Sequence, residues 1–233
     1  MKAKRVLTYV FSWIAVTLLL SFAKPSLYLY EVKGVDVSRY QGTVDWGQLE
    51  EQKIAFAFIK ATEGSSHVDA RFSENWDAVA NTNILASAYH FFSFDSSGIT
   101  QAENYIRTVG KRTGMLPPAV DIEFYGDYSQ NPMEPDKTRE ILSELLRELE
   151  RFYHVKPILY TTAAVYRRYL KDCFEGYPLW IRNVYYQPFW DGIKNWSFWQ
   201  YSDRGMLNGQ EGTAIDLNIY KGTLKELESL TVS

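Results

Sequence analysis

From residue 34 onward, short apolar or aromatic runs alternate with stretches whose apolar residues recur every three to four positions. The runs cover residues 34–37, 54–60, 84–92, 118–124, 157–160, 177–181, 197–201 and 214–219. Residues 54–60 read Ile-Ala-Phe-Ala-Phe-Ile-Lys, with no polar alternation until the end. A strand that is apolar on both faces is covered on both faces, as in a parallel sheet. Helical spacing predicts helices over 46–53, 72–81, 99–109, 136–153 and 162–170. The clearest is 136–153. Ile141, Leu142, Leu145, Leu146, Leu149, Phe152 and Tyr153 form one stripe, and Glu140, Glu144, Arg147, Glu148 and Arg151 cover the other face. Pro135-Asp136 is a start signal for it. After residue 177 helical spacing fades, and segments rich in Tyr, Asn, Gly and Asp join the strands. The pattern predicts an α/β fold, a modified TIM-like barrel of five βα units followed by three strands, its eight strands mostly parallel.

Before this region, Lys2, Lys4 and Arg5 precede an uncharged run over residues 6–23. A basic start and an apolar stretch are the pattern of a secretory signal, and Ser21-Phe22-Ala23 places small residues at cleavage spacing. The run is also long enough to border on a bilayer span. Residues 1–30 are therefore expected to be a signal peptide or an N-terminal membrane anchor, and 31–233 the barrel domain. Either choice puts the barrel outside the cytoplasm: secreted, periplasmic, or membrane-anchored and facing outward.

Composition narrows the function. The 233 residues carry a net charge of −3, which offers no electrostatic footprint for nucleic acid. Aromatic residues make up 16% of the chain, a supply of flat faces suited both to core packing and to sugar rings. The single cysteine, Cys173, excludes an intrachain disulfide, has no His or Cys at ligand spacing and reads as structural. His67, His90 and His154 also lack ligand spacing. No Gly-x-Ser-x-Gly elbow and no glycine-rich phosphate loop is present, so neither a metal nor a cofactor is expected.

Four carboxylates stand in apolar strand contexts: Asp36, Asp121, Glu123 and Asp216. An unpaired buried charge costs several kcal/mol, so each needs a partner, a raised pKa or a solvent-filled cleft. All four are expected near the C-terminal ends of strands, where parallel barrels build their active sites. Asp121 and Glu123, two apart on one strand, share a face about 7 Å apart at the backbone. Two acids in one cleft cannot both ionise easily, and one stays protonated near neutral pH. Glycosidic cleavage needs such a pair, one acid protonating the leaving oxygen and the other stabilising positive charge on the sugar. A metal site and a structural ion-pair cluster are the other readings of these residues.

Seven motifs follow one another along the chain: Gly34-Val-Asp-Val-Ser-Arg-Tyr-Gln-Gly-Thr-Val-Asp-Trp46, Phe58-Ile-Lys-Ala-Thr-Glu-Gly64, Phe72-Ser-Glu-Asn-Trp76, Ala88-Tyr-His-Phe-Phe92, Leu116-Pro-Pro-Ala-Val-Asp-Ile-Glu123, Trp199-Gln-Tyr-Ser202 and Ile215-Asp-Leu-Asn218. Together they resemble the family 25 glycoside hydrolases, the Chalaropsis-type lysozymes. The resemblance implies a muramidase that cuts the β-1,4 bond after N-acetylmuramic acid in peptidoglycan glycan strands, acting as a monomer. It implies Glu123 as catalytic acid and Asp121 as the residue that orients the substrate's acetamido group. Asp36 and Asp216 would be the other cleft acids, and Tyr89, Tyr160, Trp180 and Gln200 substrate-binding residues. Lys60 would pair with a cleft acid or stand as an ordinary strand-end lysine. Trp180-Ile-Arg-Asn-Val-Tyr-Tyr186 departs from the family pattern, with Arg182 where a small residue is usual. Arg182 would reach a muramyl peptide or lactyl carboxylate, or remain solvated. Two competing readings are a glycosidase for chitin-like glycans and a non-catalytic glycan-binding protein.

Overall fold

A computed structural model describes residues 29–210 and 214–232. Nearly all of the N-terminal segment read as a signal or anchor lies outside the described residues. Among the described residues no helix is long and apolar enough to cross a membrane.

Eight strands close into a barrel: β1 (Val32–Val37), β2 (Ile54–Glu63), β4 (Leu85–Phe91), β5 (Ala119–Ile122), β6 (Ile158–Thr162), β7 (Leu179–Arg182), β8 (Phe198–Gly205) and β9 (Ile215–Tyr220). A two-residue strand, β3 (His67–Val68), folds back on the end of β2. The order is β1-β9-β8-β7-β6-β5-β4-β2, and pairing of β1 with β2 completes the ring. All eight strands fall on the apolar runs of the sequence. The ring is mostly parallel as expected, and its exception is β9, which runs antiparallel to both β1 and β8.

Helices α1 (Trp46–Glu51), α2 (Phe72–Val79), α3 (Gly98–Val109), α4 (Pro135–Tyr153) and α5 (Ala163–Val165, continued to Leu170 as a wider π turn) lie outside the ring. In α4 the stripe Leu142, Leu145, Leu146, Leu149 and Tyr153 is buried, Pro135 occupies the first turn, and His154 ends the helix in the left-handed region. A short α6 (Leu224–Glu228), unforeseen from the sequence, follows β9, capped by the Thr223 and Glu226 reciprocal pair.

The strands are apolar on both faces because they serve two cores. Val35, Val37, Ala57, Ile59, Val120, Ile122, Ile215 and Ile219 belong to the outer core with the helices. Residues of opposite parity, Val32, Phe56, Phe58, Ala119, Ile158, Trp180 and Phe198, fill the barrel, and Leu227 of α6 joins them. Phe58 stacks on Trp180 at 3.9 Å, and both Phe56 and Phe58 meet the Phe198 ring edge-on. Gly34 stands opposite Phe56, where any Cβ would overlap the ring. Followed toward the strand C-termini, this inner row turns polar: Val32 gives way to Asp36, Ala119 to Asp121 and Glu123, Trp180 to Arg182 and Phe198 to Gln200. The inner core therefore forms a plug, and the polar ends form a cleft above it.

Candidate active site

The cleft, of about 270 Å³, is lined by Asp36, Tyr89, Asp121, Glu123, Tyr160, Trp180, Arg182, Gln200, Asp203 and Asp216. It brings together all eight residues singled out from the sequence. Their routes differ. Asp121 lies on β5, and Glu123 falls one residue past it because the strand ends at Ile122. Asp216 is near the start of β9, not near a C-terminal strand end as expected. The reversed direction of β9 carries it to the cleft, opposite Asp36 in register.

The Asp36 carboxylate is held from three sides. Its Oδ2 accepts from Asn218 Nδ2 at 2.7 Å and Gln200 Nε2 at 2.9 Å, and Asp216 hydrogen-bonds to it. Tyr160 Oη donates to Gln200 Oε1 at 3.0 Å, and Trp180 Nε1 donates to Asn218 Oδ1 at 2.8 Å. These outer bonds fix both amides with their NH2 groups toward Asp36. Burial pushes Asp36 up, while the two amides and Asp216 act against it. Burial and the neighbouring Asp36 push Asp216 up to about 9, so at neutral pH it is the protonated partner.

Asp121 and Glu123 have a different environment. Asp121 is buried, and its Oδ1 has no hydrogen-bond partner among the described residues. Burial first, then the charge of Glu123, pushes Asp121 well above the usual carboxylate range. Glu123 is also pushed up by burial, with Arg182 pulling it back. The pair therefore keeps a proton that two exposed acids would release. Lys60 lowers both acids from a distance, but its ammonium bonds Glu63 at 2.9 Å and sits over the Phe91 ring, so it pairs outside the cleft lining.

Trp180 is only 2% exposed, and Tyr160 and Gln200 are buried, so these three form the cleft floor. Tyr89 is half-buried, and burial beside the acids keeps its phenol neutral. Arg182 lines the cleft and bonds Asp203 Oδ2 at 3.0 Å. Cys173, read as structural, is exposed. Among the described residues no group of three or more His, Cys, Asp or Glu is placed to hold a metal ion.

Two site residues were missed from the sequence, Asn218 and Asp203. Asn218 was recoverable, because it lies two residues from Asp216 and so shares its face. Asp203 was not, because the β8–β9 register shifts twice between Gln200 and Gly205 and breaks the parity.

Acids that retain a proton beside others in one open cleft are the groups that hydrolysis of a glycosidic bond uses, and at the rim of a closed α/β barrel they point to the glycoside hydrolases. Comparison narrows it. Residues 35–210 match the model for glycosyl hydrolases family 25, and the chain belongs to that family. A solved family 25 glycosyl hydrolase from Bacillus anthracis is 47% identical with a TM-score of 0.82, the match covering 86% of this chain and 93% of that one. The uncharacterized protein YegX of Escherichia coli (strain K12) is 37% identical, covering 86% of this chain and 73% of that protein. Lysozyme M1 of Streptomyces globisporus is 29% identical, covering 85% and 71%.

Proposed function

We propose that the protein is a lysozyme-type muramidase, hydrolysing the β-1,4 bond between N-acetylmuramic acid and N-acetylglucosamine in peptidoglycan. The observation that carries the chemistry is the asymmetry of the Asp121–Glu123 pair: both acids are raised, and Asp121 keeps one buried oxygen without a donor. An acetamido N–H of the substrate supplies that donor. Accepting it stabilises the charged form of Asp121 and leaves the shared proton on Glu123. Glu123 then protonates the leaving glycosidic oxygen while the acetamido carbonyl oxygen attacks the anomeric carbon. The C–O bond to the leaving sugar breaks and a cyclic oxazolinium forms, its N–H held by Asp121. Water, deprotonated by the Glu123 carboxylate, opens the ring with net retention, a substrate-assisted variant of the two-carboxylate scheme.

In this reading the charge of Asp36, held by its proton-bearing partner Asp216, helps keep Glu123 protonated. Tyr89 contacts the sugar, and Tyr160, Trp180 and Gln200 hold the floor rigid. Similarity to a protein named a lysozyme supports the substrate class. Residues 1–30 carry the chain out of the cytoplasm, as a cleaved signal or an anchor, and deliver the barrel (31–233) as a monomer to the wall side of the membrane.

The test is digestion of purified peptidoglycan by the chain from residue 31, with new ends reduced by borohydride and identified by mass spectrometry. Reduced muramic acid ends are expected. Reduced glucosamine ends would mean that a different bond is cut. Hydrolysis of chitin oligomers alone would move the substrate to that glycan.

A further inference from the structure

Arg182 is the single cation lining the cleft, against five carboxylates, among the described residues. It is the last residue of β7, on the same strand face as Trp180 two positions before it. Its guanidinium bonds Asp203 on β8 at 3.0 Å, and Asp203 also has Arg204 at 3.6 Å on its exposed side. Both partners are partly open to solvent, so the ion pair by itself adds little to stability. What it places in the cleft is a fixed charge among the acids.

We propose that Arg182, restrained by Asp203, is a positioning residue that sets the upper pH at which the cleft retains its catalytic proton, an inference that rests on Glu123 being the acid. The charged and titratable groups facing it support this division of labour. Asp36 on β1 and Asp216 on β9 lie to one side, with Asp203 and Arg204 on β8. Asp121 and Glu123 lie to the other, beyond Tyr160 of β6, with Tyr89 of β4 past them. The second cation, Lys60 of β2, is bound to Glu63. Arg182 opposes the upward push of burial at Glu123, Asp36 and Asp216; Lys60 opposes it at Asp121 and, less than Arg182, at Glu123. Asp203 works against Arg182, pushing Asp216 up. Arg182 and Asp203 are thus two opposite charges at the cleft whose members can be removed separately.

The prediction is reciprocal. Arg182→Gln takes away the positive charge, and the alkaline limb of the kcat/KM profile moves up by about one pH unit. Asp203→Asn leaves Arg182 uncompensated, and the limb moves down by a smaller amount. Arg182→Lys keeps the charge and keeps the limb near its wild-type position. The profiles are measured on solubilised glycan strands, with thermal melts to show that each variant is folded. A lower rate or raised KM in Arg182→Gln with an unmoved limb overturns the proposal and makes Arg182 a substrate contact or a structural residue. Should Arg182→Gln fail to fold, an unmoved limb in Asp203→Asn overturns it equally. A wild-type chain that releases no reducing ends removes the muramidase reading and this inference with it. An active wild type with unmoved limbs removes only the inference.

Discussion

The cleft holds two pairs of acids that differ in one respect. Asp36 and Asp216 are held in place: Asn218 and Gln200 donate to Asp36, those amides are fixed by Trp180 and Tyr160, and Asp216 keeps its own proton. Asp121 and Glu123 are similarly buried, yet among the described residues no group donates to Asp121 Oδ1. Burial raises an acid's pKa in either case. Hydrogen bonding decides whether the proton is locked into the structure or left available to a substrate. The first pair is a satisfied network; in the proposed mechanism the second is completed by the substrate.

The largest expected effect follows from removing the available proton. Glu123→Gln should lower turnover on peptidoglycan by about 10³-fold with the melting temperature unchanged. An aryl glycoside with a good leaving group needs no such proton and should recover much of the loss. Asp121→Asn should cost on the order of a hundredfold in turnover, since the amide stabilises the oxazolinium N–H poorly. A barely changed rate there would sink the substrate-assisted scheme. In the satisfied pair the effect should fall on stability. Asn218→Ala strips a donor from Asp36 and an acceptor from Trp180, and a loss of roughly 1–3 kcal/mol is expected by urea denaturation. Turnover should fall less than in Asp121→Asn. If it falls more, the two pairs are not separable.

The last effect is in the pH dependence of folding. Asp216 titrates at about 9 in the folded chain against 3.8 for an ordinary aspartate. Between those values the folded chain binds a proton that the unfolded chain has released, so this group makes stability fall as pH rises through the window. Asp216→Asn should flatten that slope by at most about 1.4 kcal/mol per pH unit, read from denaturation midpoints between pH 5 and 8. An unchanged slope would show that Asp216 is ionised and that the proton of this pair lies elsewhere.

Much of this was legible in the chain. The apolar runs located every barrel strand because each strand must cover two cores, a requirement written locally into four to ten residues. The acids were visible because a carboxylate inside such a run is costly, and the parity of Asp121 and Glu123 put them on one face. Parity alone would also have added Asn218, two residues from Asp216. What could not be read was any relation closed across the ring. Asn218 and Asp36 are 182 positions apart, and Gln200 and Asp36 164 apart. The antiparallel direction of β9, which turns a strand start into a cleft residue, leaves no local trace. The Arg182–Asp203 pair depends on register shifts in β8 that no spacing rule anticipates. Periodicity and the cost of burying charge act along the chain, so the sequence determined the elements and the residues that need a partner. Which partner each acid received, and so which proton is free, was decided only when barrel closure brought the strand ends together.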